Sequence, residues 1–189
     1  MSFIFFVGGV RSGKSRLAQA WAEAAAPERV LLATCHAPDA DMAARIAAHK
    51  KSRSEAWVCI EEPLEPLGAL IKYCAGKPDF NGSFVLDSLG MLIANLMSQN
   101  LPVSSILQRI GSLAETLASP SYSCAIVSEE CGLGFVPVNG IARKYVYLLG
   151  EANQMMAKKS HAAIFVSCGL PLALKGEIPA VLNRFNSGV

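Results

Sequence analysis

Eight residues near the amino terminus, GGVRSGKS, leave this chain few folds to choose from. They satisfy the spacing G-x-x-x-x-G-K-[ST] through Gly8, Gly13, Lys14 and Ser15. A chance match in 189 residues is on the order of one in a hundred at a glycine frequency of roughly 7%. The context fits as well. The apolar run from Phe3 to Val7 precedes it as a buried strand, and KSRLAQAWAEAAA, rich in helix formers, follows until Pro27 stops the helix. Glycines let the backbone curl until several amide N–H groups converge on one anion. The helix amino terminus adds its positive end. In such a loop Lys14 reaches the β and γ phosphates of a nucleotide and Ser15 holds Mg²⁺. The loop residues Gly9, Val10, Arg11 and Ser12 line the same anion. The plain alternative is a glycine turn before a helix with a surface lysine.

Further apolar runs alternate with helical stretches. VLLAT (30–34), AWVCI (56–60), FVLD (84–87), CAIVS (124–128) and AAIFVS (162–167) read as strands. Helices are expected over 14–26, 41–51, 64–75, from 88 to about 98, from 103 to 118 and from 140 to 158. Fully apolar strands alternating with helices predict an α/β fold, a mostly parallel sheet with helices on both faces. One domain over residues 1–189 is expected, with 176–189 as a loose tail. Asp87, ending FVLD, is the candidate partner of Ser15 for Mg²⁺; as an alternative it caps the next helix.

The composition excludes several classes. Hydrophobic residues make up 52% and charged residues 17%, outside the disordered regime, and a net charge of +2 gives no footprint for nucleic acid. No apolar run is long enough for a membrane span, and MSFIFFVGG lacks the basic leader of a signal peptide. Six scattered cysteines without a C-x-x-C pair read as reduced packing residues of a cytoplasmic protein.

RIAAHKKSR (45–53) poses a different question. On a helix, Asp41, Arg45, His49 and Arg53 fall at four-residue steps along one ridge. Taken alone, this is a solvated face with favourable charge pairs. Beside a phosphate loop it has another use: the arginines attract phosphate and disfavour protonation of the imidazole, and a neutral imidazole is a nucleophile towards phosphorus.

Together these residues resemble a known family, the bifunctional adenosylcobinamide kinases and adenosylcobinamide-phosphate guanylyltransferases of cobalamin nucleotide-loop assembly. The resemblance runs over about residues 3 to 175. It is carried by GGVRSGKS, by LATCHAPDADMAARIAAHKKSRSEAW, by EEP at 61–63, by VLDSLGMLIANL, and by VSEECGLGFVP, GEANQMMA and GLPLALK. It implies a three-layer, RecA-like P-loop NTPase fold and two reactions. In one, ATP or GTP phosphorylates adenosylcobinamide. In the other, a histidine attacks the α-phosphorus of GTP, holds GMP as a phosphoramidate and passes it to adenosylcobinamide phosphate. The matching histidine is His49. The resemblance also implies that Thr34, Cys35, Lys50, Lys51, Ser52, Arg53 and Glu61 lie near the nucleotide, that Mg²⁺ is required and that the protein is a homotrimer. The absence of an N-K-x-D motif argues against a regulatory GTPase. Two alternatives are a P-loop small-molecule kinase without guanylyl transfer and a non-catalytic nucleotide-binding relative.

The chain departs from the family pattern in three places. DSLGML stands where a DCLTLW-like run is common, Ser128-Glu129-Glu130 where S-N-E is usual, and Val146-Tyr147 where R-x-F-R-D would place an Arg-Asp pair.

Overall fold

The computed structural model describes residues 2–35, 57–119 and 123–186. The helix expected over 41–51, and with it Asp41, Arg45, His49, Lys50, Lys51, Ser52 and Arg53, lies outside the described residues. In chain order the elements are β1 (Phe3–Gly8), α1 (Lys14–Ala25), β2 (Arg29–Ala33), β3 (Trp57–Glu61), α2 (Pro66–Ala75), β4 (Ser83–Asp87), α3 (Leu89–Ser98), α4 (Val103–Leu117), β5 (Ser123–Glu129), α5 (Gly140–Lys159), β6 (Ala162–Ser167), β7 (Leu170–Lys175) and a 3₁₀ turn at Ala180–Phe185. The seven strands form one sheet in the order β3-β2-β4-β5-β1-β6-β7. All neighbours pair in parallel except β6 and β7.

β1 shows why the runs are continuously apolar. Phe3, Phe5 and Val7 face a core built with α3, α4 and α5, whereas Ile4 and Phe6 face a second core built on Leu17, Ala18 and Trp21 of α1. Successive side chains of a strand point to opposite faces, so a strand covered on both sides needs apolar residues at every position. Each fully buried Phe contributes roughly 1.5–3 kcal/mol. Two of the helices begin at a side-chain cap. Ser88 Oγ accepts from Met91 N at the start of α3, and Asn139 Oδ1 accepts from Ile141 N and Ala142 N at the start of α5.

Two features differ from the sequence expectation. β7 was not foreseen: LPLALK carries a proline and follows a two-residue turn, Cys168-Gly169, in which both residues have positive φ. An edge strand tolerates that proline. The expected loose tail at 176–189 is corrected over Ala180–Phe185, which forms the 3₁₀ turn. Leu182 there is fully buried against the α1 face, and the Arg16 guanidinium lies 5.1 Å from the Phe185 ring centroid. Apolar burial and a cation–π contact dock a segment that has little periodicity of its own.

Candidate active site

Parallel strands bring their carboxyl ends to one edge of the sheet, and the candidate residues gather there. Gly8 ends β1 opposite Glu129 of β5; Asp87 ends β4 opposite Ala33 of β2; Glu61 ends β3, also opposite Ala33. β5 therefore lies between the strand that feeds the phosphate loop and the strand that carries Asp87.

The loop from Gly8 to Ser15 turns between β1 and α1. Ser12 N donates to Gly9 O, and Gly169 N, from the β6–β7 turn, donates to Ser12 O at 2.8 Å. Gly13 has φ +99°, a conformation that favours glycine, and a Cβ there would sit tightly, 3.3 Å from the Gly169 Cα. Arg11 adopts φ 57°, a conformation that is uncommon for a side-chain-bearing residue and clusters at ligand sites. Val10 and Arg11 are exposed at the rim and Gly9 is half-buried. Lys14 is only 7% exposed, and its Nζ donates to Gly9 O at 3.0 Å, which holds the ammonium at the loop mouth. Ser12 Oγ is buried without a hydrogen-bond partner among the described residues. A buried hydroxyl in a ring of amides is costly unless a ligand satisfies it, and a phosphate oxygen does so. Ser15 opens α1.

Thr34 is fully buried, and its hydroxyl serves the neighbouring strand end. Thr34 Oγ1 donates to Ser88 O at 2.7 Å and accepts from Ser88 N at 2.9 Å, while Thr34 N donates to Asp87 O at 3.1 Å. Asn95 Nδ2 of α3 donates to both Thr34 O and Pro63 O. These bonds fix Asp87 and Ser88 relative to β2. Asp87 is half-buried, Cys35 half-buried and Glu61 exposed.

Sequence reading passed over a polar cluster beside Asp87. Ser88 Oγ donates to Glu129 Oε2 at 3.2 Å. Asn153 of α5 clamps the end of β5: its Oδ1 accepts from Ser128 Oγ at 2.6 Å and its Nδ2 donates to Glu129 O at 3.0 Å. Burial raises the Glu129 carboxyl above the usual carboxylate range and the nearby Asp87 charge adds to the rise, whereas the Lys14 ammonium and the Ser88 hydroxyl oppose it. Burial also raises the phenol of Tyr145 on α5, with the Glu129 charge adding to the shift. The available signal was that Gly90 and Glu129 both fall in stretches departing from the family pattern. The site thus offers a nest for an anion, two hard oxygen donors at Ser15 and Asp87, and a buried carboxyl between them.

The model of the family described as cobinamide kinase / cobinamide phosphate guanyltransferase, CobU, matches residues 4–174. The bifunctional adenosylcobalamin biosynthesis protein CobP of Pseudomonas aeruginosa is 34% identical over 175 residues, 90% of this chain and 96% of the relative. The bifunctional adenosylcobalamin biosynthesis protein CobU of Salmonella typhimurium is 29% identical over 184 residues, 91% and 99% of the two chains. Among solved structures, a KaiC-like protein of Pyrococcus horikoshii superposes with a TM-score of 0.51 at 12% identity, over 87% of this chain and 70% of that one. That likeness concerns the fold, which is RecA-like as expected.

Proposed function

The chain belongs to the cobinamide kinase / cobinamide phosphate guanyltransferase family, and we propose that it carries out both reactions at the sheet edge just described. One observation carries this reading: within a chain matched over residues 4–174, the phosphate loop, Lys14 and Asp87 gather at the carboxyl ends of the two parallel strands that flank β5.

In the kinase reaction the triphosphate lies on the loop amides and satisfies Ser12 Oγ, and Lys14 neutralises charge on the β and γ phosphates. Ser15 and Asp87 are suited to Mg²⁺, which takes hard oxygen ligands, usually one or two from protein with phosphates and waters completing the shell. Bound there, the ion would neutralise charge on the phosphate oxygens. The cobinamide hydroxyl attacks the γ-phosphorus in line with the leaving diphosphate.

In the guanylyl transfer His49 is the nucleophile. A neutral imidazole nitrogen forms the N–P bond to the α-phosphorus of GTP as the bond to pyrophosphate breaks. The phosphate of cobinamide phosphate then attacks that phosphorus and releases His49. Arg45, Lys50, Lys51, Ser52 and Arg53 surround His49 in sequence and supply anion-binding groups for the phosphates. Glu61 is the proposed acceptor for the guanine edge or a ribose hydroxyl, at the end of β3.

Assembly as a homotrimer belongs to the same proposal, and light scattering measures it. Exposed Leu170, Leu172 and Leu174 on the edge strand β7 offer apolar surface for such contacts. All six cysteines are free thiols, which fits a reducing cytoplasm. No helix among the described residues is long and apolar enough to cross a membrane.

The deciding experiment incubates the protein with α-³²P-GTP and Mg²⁺. An acid-labile, alkali-stable label that disappears in His49→Ala is expected. Turnover of cobinamide to its phosphate without any label would leave a kinase alone and sink the transferase half.

A further inference from the structure

The kinase step needs something the loop and Asp87 do not supply. An alcohol attacking phosphorus must lose a proton, whereas neither an imidazole lone pair nor an ionised phosphate must be deprotonated before it attacks. We propose that Glu129 is the general base of the kinase half, held beside the γ-phosphate site by a space that Gly90 leaves open. This inference rests on the kinase reading above.

The placement comes from three directions. Along the sheet, Glu129 is the register partner of Gly8, and Glu130 N donates to Gly8 O at 2.9 Å, so Glu129 ends its strand beside the start of the phosphate loop. Across the sheet, Ser88 Oγ holds Oε2 next to Asp87. From above, the carboxyl lies over the first turn of α3. A Cβ built on Gly90 would stand 2.1 Å from Glu129 Oε2 and 2.7 Å from the Tyr145 hydroxyl oxygen, both closer than any side chain permits. Any residue but glycine at 90 would displace the carboxyl. The Asn153 clamp on Ser128 and on Glu129 O fixes the backbone from which the side chain springs.

Glu130, the adjacent carboxylate, is committed elsewhere, since its Oε1 accepts from Gly132 N in the following turn. Glu129 faces Lys14 from α1, Asp87 from β4, Tyr145 from α5 and Cys131 beyond its own strand. Burial raises its pKa from the ordinary carboxylate value, the direction that favours a carboxylate base. In the step, the substrate oxygen forms its bond to the γ-phosphorus as the γ-phosphorus bond to the β-phosphate oxygen breaks. The hydroxyl proton passes to the Glu129 carboxylate, and the leaving diphosphate keeps the electron pair beside Lys14. Product release and loss of the proton to water restore the base.

The test separates the two halves of the enzyme. Glu129→Gln should lower kcat for cobinamide phosphorylation by about 10²- to 10⁴-fold and abolish the acid limb of the kinase kcat/KM profile. Labelling by α-³²P-GTP should persist, which also shows that the variant folds and binds nucleotide. Gly90→Ala keeps the carboxylate but displaces it, and should cost the kinase about 10²-fold with labelling again retained. Kinase turnover in Glu129→Gln within a few-fold of wild type would overturn the proposal. So would loss of both reactions in equal proportion, which would mark a nucleotide-binding or structural role. A wild-type protein that phosphorylates no cobinamide would overturn the kinase reading itself and this inference with it, an outcome visible before any variant is made.

Discussion

Thr34→Val is the sharpest perturbation of the frame that holds Asp87. Valine matches threonine in shape, so packing in this fully buried position is preserved while the hydroxyl is lost. Two bonds go with it. Ser88 N loses its 2.9 Å acceptor, and Ser88 O loses a 2.7 Å donor but keeps the 3.1 Å bond from Leu92 N. Ser88 is itself buried, so the orphaned N–H costs about 1–3 kcal/mol, and the half-satisfied carbonyl adds only a few tenths. The extra methyl returns a fraction of this, leaving about 2 kcal/mol of destabilisation. Thr34→Ser is the control: it keeps both bonds and removes one buried methyl, for about 1 kcal/mol. Urea unfolding followed by fluorescence of the buried Trp21 reads both variants. With a slope of about 2 kcal/mol/M, the Thr34→Val midpoint should fall by about 1 M and that of Thr34→Ser by about half as much. A Thr34→Val midpoint within about 0.2 M of wild type, or above that of Thr34→Ser, would show that the hydroxyl does not hold the two strand ends together.

Two further outcomes are expected. Lys14→Ala should slow both phosphoryl and guanylyl transfer by at least about 10²-fold, because one ammonium faces the phosphates in each; full kinase turnover in that variant would contradict a shared site. Without nucleotide, stability should decline as pH rises from the unfolded carboxyl value of about 4.3 through the higher folded value of Glu129. Over that window the folded protein binds more protons than the unfolded chain, so the slope is negative. Urea midpoints at a series of pH values measure this slope, and Glu129→Gln should flatten it; an identical slope in the variant would assign it to other groups.

Much of the frame was legible because burial on both faces writes itself into composition. FIFFV, VLLA, FVL and AIFV have no polar position to confuse with a helix face, and each lies in a strand. β7 was not legible: its three leucines all stand exposed while a proline and an alanine take the covered positions, and its partner is set by a turn with two left-handed residues. The tail was misread because Leu182 finds its burial against α1, a contact that no local pattern announces. At the site, the phosphate loop and Asp87 were legible because fixed spacing places them on strand ends. The roles of Ser88, Glu129 and Asn153 were not, since each depends on partners 24 to 54 residues away, brought together only by strand order.

The bond from Gly169 N to Ser12 O ties the hairpin tip to the phosphate loop. A nucleotide pocket near the start of the chain is therefore finished only when its last two strands are laid down. Until the ribosome has released that hairpin, the glycine turn lacks its outer brace. The order of synthesis thus delays the full bracing of the loop until β6 and β7 have paired.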